Sequence, residues 1–225
     1  HPSFAGAPFT YPFLPDFAAA MLVKAGAPPI MVMVWSTLLL CLTFVVLLYR
    51  WTLSMTGSTG AALLAPLIAL TSGGFGWLRF AGEVWASDRS VLQFLNSLPH
   101  DYTITADGLY RWGNLITSLL VPQRGLLLGL PLALLVFQAW WDATDDRVPV
   151  DHVPKLAAAG IITGMMPLIH AHGFAVLLGI GFWIAIASGR WKRWLPFFVA
   201  ALVLGLPQIW WITRETGTRA SSFLG

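Results

Sequence analysis

The chain has 225 residues, of which 57% are apolar and 10% charged, with a mean hydropathy of +0.72. A soluble domain carries about 25% charged residues, so this composition excludes a water-soluble globule, along with the disordered, collagen-like and disulfide-rich classes. A net charge of +3, with 13 Lys and Arg spread along the length, gives no nucleic-acid footprint, and the single Cys41 supports neither a disulfide nor a cysteine zinc site.

The expected fold is all-α: one membrane-embedded module over residues 1–225, a polytopic helix bundle of about six passes with short amphipathic helices on its outer side. Residues 1–29 form an outer segment in which Pro15 and Asp16 open a surface helix, 17–23 supply its apolar body, and Gly26 with Pro28-Pro29 ends it. The sequence opens on His1 without a signal-peptide layout and closes on Ser221-Ser222-Phe223-Leu224-Gly225, so it reads as an internal fragment.

Two passes are expected within residues 30–80. The first covers 30–49, uncharged until Arg50, and the second covers 61–78, with Pro66 and the flexible Ser72-Gly73-Gly74-Phe75-Gly76 stretch. Residues 81–124 are too long for a plain connector and read as a functional outer loop. In it Val91, Phe94, Leu95 and Leu98 line one helical face, and Trp112, Leu115, Ile116 and Leu119 another.

The remaining passes fall within 125–212. One covers 125–141 and ends on Trp140-Trp141; another covers 195–212 with Trp210-Trp211 near its end, pairs suited to the headgroup boundary. Between them, 156–188 runs for 33 residues without Lys, Arg, Asp or Glu. As one helix it would reach roughly 50 Å, too long for a straight crossing. Pro167-Leu168-Ile169-His170-Ala171-His172-Gly173 breaks it into expected halves 156–169 and 173–188, whose shared turn belongs in protein or a wet recess; the rival is one kinked, tilted helix. The dense basic loop Gly189-Arg190-Trp191-Lys192-Arg193-Trp194 is expected in the cytoplasm, which puts the N-terminal segment, 81–124, the histidine turn and the 213–225 tail on the outer side.

Charges near a bilayer are expensive, and on that arrangement they gather outside: Asp16, Arg79, Glu83, Asp88, Arg89, Asp101, Asp107, Arg111, Arg124, Arg214, Glu215 and Arg219. Many such residues only anchor in headgroups or face water. Pro122-Gln123-Arg124-Gly125 brings an arginine fork and an amide to the membrane surface, as an anionic headgroup requires, and a helix-end anchor predicts the same residues; Arg214 admits the same two readings. His170 and His172 suit a phosphate, a proton or a divalent metal, but their i,i+2 spacing puts the rings on different faces, so shared ligation needs an outside carboxylate. A hydrogen-bonded polar turn is the plainer account. No cofactor is assigned, and no P-loop, dinucleotide fingerprint, serine nucleophile elbow or HExxH zinc motif is present.

His1-Pro2-Ser3-Phe4-Ala5-Gly6-Ala7-Pro8-Phe9-Thr10-Tyr11-Pro12-Phe13-Leu14-Pro15-Asp16-Phe17 resembles the end of the first outer loop of GT-C-type glycosyltransferases related to the protein O-mannosyltransferases, in which a Tyr-Pro stretch leads into a surface helix. The resemblance extends through Pro122-Gln123-Arg124 and Pro167-Leu168-Ile169-His170-Ala171-His172. It implies a membrane enzyme, in the plasma membrane of a bacterium, that transfers a sugar from a polyprenyl-phosphate donor on the extracytoplasmic side. It also implies a catalytic acid upstream of His1, so no residue here is assigned as catalyst. Tyr11, Gln123, Arg124, His170, His172 and Arg214 are the expected substrate-binding residues, and membrane lipid and the sugar donor the expected partners. The alternative is a secondary transporter or non-catalytic membrane scaffold, since broken helices with ionisable groups at the break also occur in transporters.

Overall fold

The computed structural model describes residues 12–105, 108, 109, 111, 113–144 and 151–213, among which every regular element is helical. Helix α1 (Leu14–Lys24) starts with proline in its first turn, Asp16 beside the positive helix end and Lys24 in its last turn, then stops at Gly26, whose φ of +103° suits glycine. Helix α2 (Pro29–Thr56) has 28 residues, enough for about 42 Å at 1.5 Å each, and ends on the left-handed Gly57. Ser58 then caps α3 (Thr59–Thr71), its hydroxyl accepting from the Ala61 N–H at 3.3 Å.

The second expected pass ends sooner than the sequence reading put it. Helix α3 stops at Thr71, and α4 (Gly76–Trp85) leaves at 83°, so Trp77 and Leu78 belong to a separate amphipathic helix. The glycine-rich link has little helical preference, and Gly76 sits where any Cβ would strike the Tyr102 carbonyl. Helix α5 (Val91–Asn96) opens on a reciprocal capping box between Ser90 and Gln93. Of its expected apolar face only Phe94 is buried. The second amphipathic stretch appears as a π-helical turn, Ile116–Leu120, that buries Leu120; Trp112 lies outside the described residues.

Four more helices complete the bundle: α6 (Arg124–Thr144), α7 (His152–Met165), α8 (Pro167–Ala187) and α9 (Leu195–Thr213), the last preceded by a 3₁₀ turn at Trp191–Trp194. The long uncharged run does break in this stretch: α7 ends at Met165, and the backbone leaves helical geometry directly after Ile169, where the sequence placed the break. Pro167 starts α8, and His170 interrupts it with φ −154° and ψ 91°. Among the described residues four helices, α2, α6, α8 and α9 with its preceding turn, are long and apolar enough to cross a membrane, and the bent α3–α4 pair makes a fifth if counted as one span. Helices α3 and α7, with 13 and 14 residues, are too short by that measure, which is why the count is lower than six.

Specific contacts fix the helix directions. Helices α2 and α6 run the same way, because Arg124 meets Met33 and Ser36 at one end while Phe137 stacks on Trp51 at the other. Helix α8 runs antiparallel to α9: Gly181 faces Phe197, and Gly205 faces Phe174. Helices α7 and α9 run parallel and very close, with Gly160 against the Phe197 carbonyl and Gly164 against Leu204. The Gln208 amide also donates to the Gly164 carbonyl at 2.8 Å. Lipid is as apolar as leucine, so such close van der Waals packing between small residues, rather than escape from water, holds membrane helices together. The two ends of the bundle are thereby defined: an Arg124 end, and an opposite end where Trp140, Trp194 and Phe197 pack ring on ring.

Candidate functional site at the Arg124 end

Arg124 is the first residue of α6, and its side chain lies between three helices. Nε is 2.9 Å from Asp16 Oδ1 on α1, one terminal nitrogen donates to Ser36 Oγ at 3.3 Å, and the other to Met33 Sδ at 2.8 Å. The Asp16 contact is an ion pair without hydrogen-bond alignment, since Nε has no directional partner. The guanidinium is mostly buried, at 19% exposure, whereas Asp16 is 55% exposed. Such a pair is worth roughly 1 kcal/mol at most where one partner stays wet. It therefore positions the arginine more than it stabilises the fold. A planar fork has five N–H donors, so these partners leave donor capacity for an anion.

The histidine turn packs against the start of the same helix. A Cβ on Gly125 would come within 2.5 Å of the Ile169 carbonyl, and one on Gly129 within 3.2 Å of His170 Cβ. Absence of side chains at these two positions is what brings the break beside Arg124. His170 Nδ1 accepts from the Gly173 backbone N–H at 3.1 Å. In neutral His170 that bond assigns the proton to Nε2, which leaves Nε2–H as the ring's donor. His172 is exposed, with its ring centroid 5.8 Å from that of His170. Among the described residues no group of three His, Cys, Asp or Glu is arranged to hold a metal.

Of the expected binding residues, the structure brings Arg124, Gln123, His170 and His172 to one end, with Gln123 exposed immediately before α6. Tyr11 and Arg214 lie outside the described residues. Their neighbours are informative: Phe13 and Trp211 meet edge to face with centroids 6.1 Å apart, so α1 and the end of α9 reach the same end of the bundle.

Sequence reasoning missed a second polar cluster, in the long loop after α3. Glu83 accepts from Tyr102 Oη at 2.5 Å and from Arg79 Nε at 2.8 Å, with His100 Nε2 at 3.6 Å. The Tyr102 hydrogen bond is the chief cause that holds the Glu83 carboxyl below its usual range, helped by Arg79 and His100. Desolvation, and then the Glu83 hydrogen bond, push the Tyr102 hydroxyl up to about 12. Asp101 is held low by the Thr103 hydroxyl at 2.6 Å, and also by the Thr103 N–H and Arg111. The i,i+4 spacing of Arg79 and Glu83 was a readable sign of pairing; the partners Tyr102 and His100, nearly 20 residues on, gave none. A recess of about 350 Å³ lies beside this loop, lined by Ser72, Arg111, Gly113, Asn114, Leu115, Ser118 and Leu119. No family model, curated protein or solved structure matches the chain.

Proposed function

We propose that this chain is the donor-binding module of a GT-C-type membrane glycosyltransferase and handles a polyprenyl-phosphate sugar at its Arg124 end. One observation carries the reading: a mostly buried arginine, preset by Asp16 and Ser36, stands beside a helix break that carries two imidazoles, among helices whose outer faces are apolar. A polyprenyl-phosphate sugar needs both halves of that arrangement, cationic donors for its phosphate and an apolar surface for its tail.

In this account all six bundle segments are membrane-embedded, with α3 and α7 as short passes. The Arg124 end faces the extracytoplasmic side of a bacterial plasma membrane, and the basic 189–194 turn faces the cytoplasm. Transfer is inverting: a carboxylate takes the proton of the acceptor hydroxyl, that oxygen bonds to the sugar's anomeric carbon, and the bond from this carbon to the lipid phosphate breaks. Arg124, with His170 Nε2–H beside it, stabilises the charge that develops on the departing phosphate. Asp16 is committed to Arg124 and is not assigned as the base.

The test is turnover of a polyprenyl-phosphate sugar by the full-length protein in lipid nanodiscs. Arg124→Ala should lower kcat roughly a hundredfold, the scale for losing one preorganised donor to a developing anion. Arg124→Lys should recover only part, since it restores charge without the fork. Substrate uptake by proteoliposomes without sugar transfer would replace this reading with a transporter.

A further inference from the structure

We infer that the turn joining α8 to α9 is a phosphate-group site for an anionic phospholipid, at the end of the bundle opposite Arg124. A cavity of about 110 Å³ opens there between the end of α6, the start of α7 and the turn; Thr144, Ser188, Arg190 and Arg193 supply its polar lining, and Leu156 and Trp194 part of its apolar lining. Gly189, at φ +64°, reverses the chain and returns Arg190 to the cavity wall, while the 3₁₀ turn sets Arg193 on the same wall. Two arginines and two hydroxyl-bearing residues thus line one space of about 110 Å³.

The plainer explanation is local: cations near the C-terminus of α8 offset its negative dipole, and both arginines also interact within the chain. That accounts for a basic turn but not for a cavity with both arginines on its wall. Each fork has five donors, so an internal partner does not exhaust it. The neighbouring Lys155 is spent on Asp142 at 2.6 Å. The rim points to a ligand with acyl chains rather than to a free ion. Trp191 is 55% exposed, Leu195 48% and Trp183 68%, so the turn and both helices that it joins carry exposed apolar side chains. Lys192 lies 5.9 Å over the Trp191 ring, a third cation on the same turn.

Native mass spectrometry of the full chain, released from nanodiscs containing equal phosphatidylglycerol and phosphatidylcholine, tests this. Wild type should retain phosphatidylglycerol preferentially, and the preference should fall roughly fivefold for each of Arg190→Ala and Arg193→Ala. Arg190→Lys with Arg193→Lys guards against misfolding and should keep most of the preference. Inorganic phosphate at millimolar concentration should compete weakly; complete displacement would show that the site takes free phosphate and overturn the lipid assignment. Equal retention of the two lipids by wild type, or an unchanged preference in the alanine variants, would overturn the site itself.

Discussion

At one end of the bundle Trp140, Trp194 and Phe197 lie with ring centroids 5.3 to 5.9 Å apart, and all three are nearly inaccessible. At the other end Gly125 and Gly129 let a backbone break approach α6, and the groups gathered there are an arginine, an aspartate and two histidines. The aromatic end spends side-chain volume on closing the helices together. The glycine end removes volume, which brings the helix break and its histidines against the start of α6. Stability and chemistry are therefore expected to divide between the ends.

The largest effect should come from the aromatic end. Phe197→Ala should cost about 3 kcal/mol of unfolding free energy, the low end for a buried phenylalanine because lipid, unlike water, keeps the transfer cost small. Reversible unfolding in mixed micelles measures it, and a loss below about 1 kcal/mol would mean that this end is not the packed one. Gly160→Leu should cost about 1–3 kcal/mol by forcing α7 from α9. Neither change should lower turnover per folded molecule, whereas Arg124→Ala should do so at nearly unchanged stability.

A smaller effect concerns the outer loop and pH. Glu83 is held below its unfolded value, so its contribution to stability is complete above about pH 4.3 and is lost as pH falls through the lower folded value. Tyr102 is raised, so its contribution is complete below about pH 10 and is lost as pH rises through about 12. Protection of the 79–102 amides, relative to the intrinsic exchange rate at each pH, should therefore fall on acidification below pH 4, and Tyr102→Phe should reduce that acid sensitivity. The smallest change belongs to α2, half of whose residues are exposed: Leu39→Ala, at a 65% exposed site, should shift stability by less than about 0.5 kcal/mol.

Much of the fold was legible because single residues announce it. Pro15, Asp16 and Gly26 delimit α1 to within a residue or two, and the uncharged 30–49 stretch lies within α2. Pro167 and the histidines marked the break in the long apolar run, where α7 ends at Met165 and His170 leaves helical geometry. The 83° bend was harder to place, since Ser72-Gly73-Gly74-Phe75-Gly76 signals flexibility without direction, and direction comes from Gly76 meeting the Tyr102 carbonyl far along the chain. The α7–α9 pairing had a visible sign in Gly160-Ile161-Ile162-Thr163-Gly164, two glycines four apart on one helix face, but not its partner. Arg124 stood out as an arginine at a span boundary. Its pairing with Asp16, across more than 100 residues, is a product of tertiary structure alone.

The central claim is that the Arg124 end and the basic turn lie on opposite sides of a membrane. Single cysteines at Gln123 and Trp191, both exposed, placed in a Cys41→Ser background and treated with a membrane-impermeant maleimide in sealed right-side-out vesicles, test it directly. The account predicts that position 123 is labelled from outside, while 191 is labelled only after the vesicles are opened. Labelling of both from outside, or of 191 alone, would contradict it.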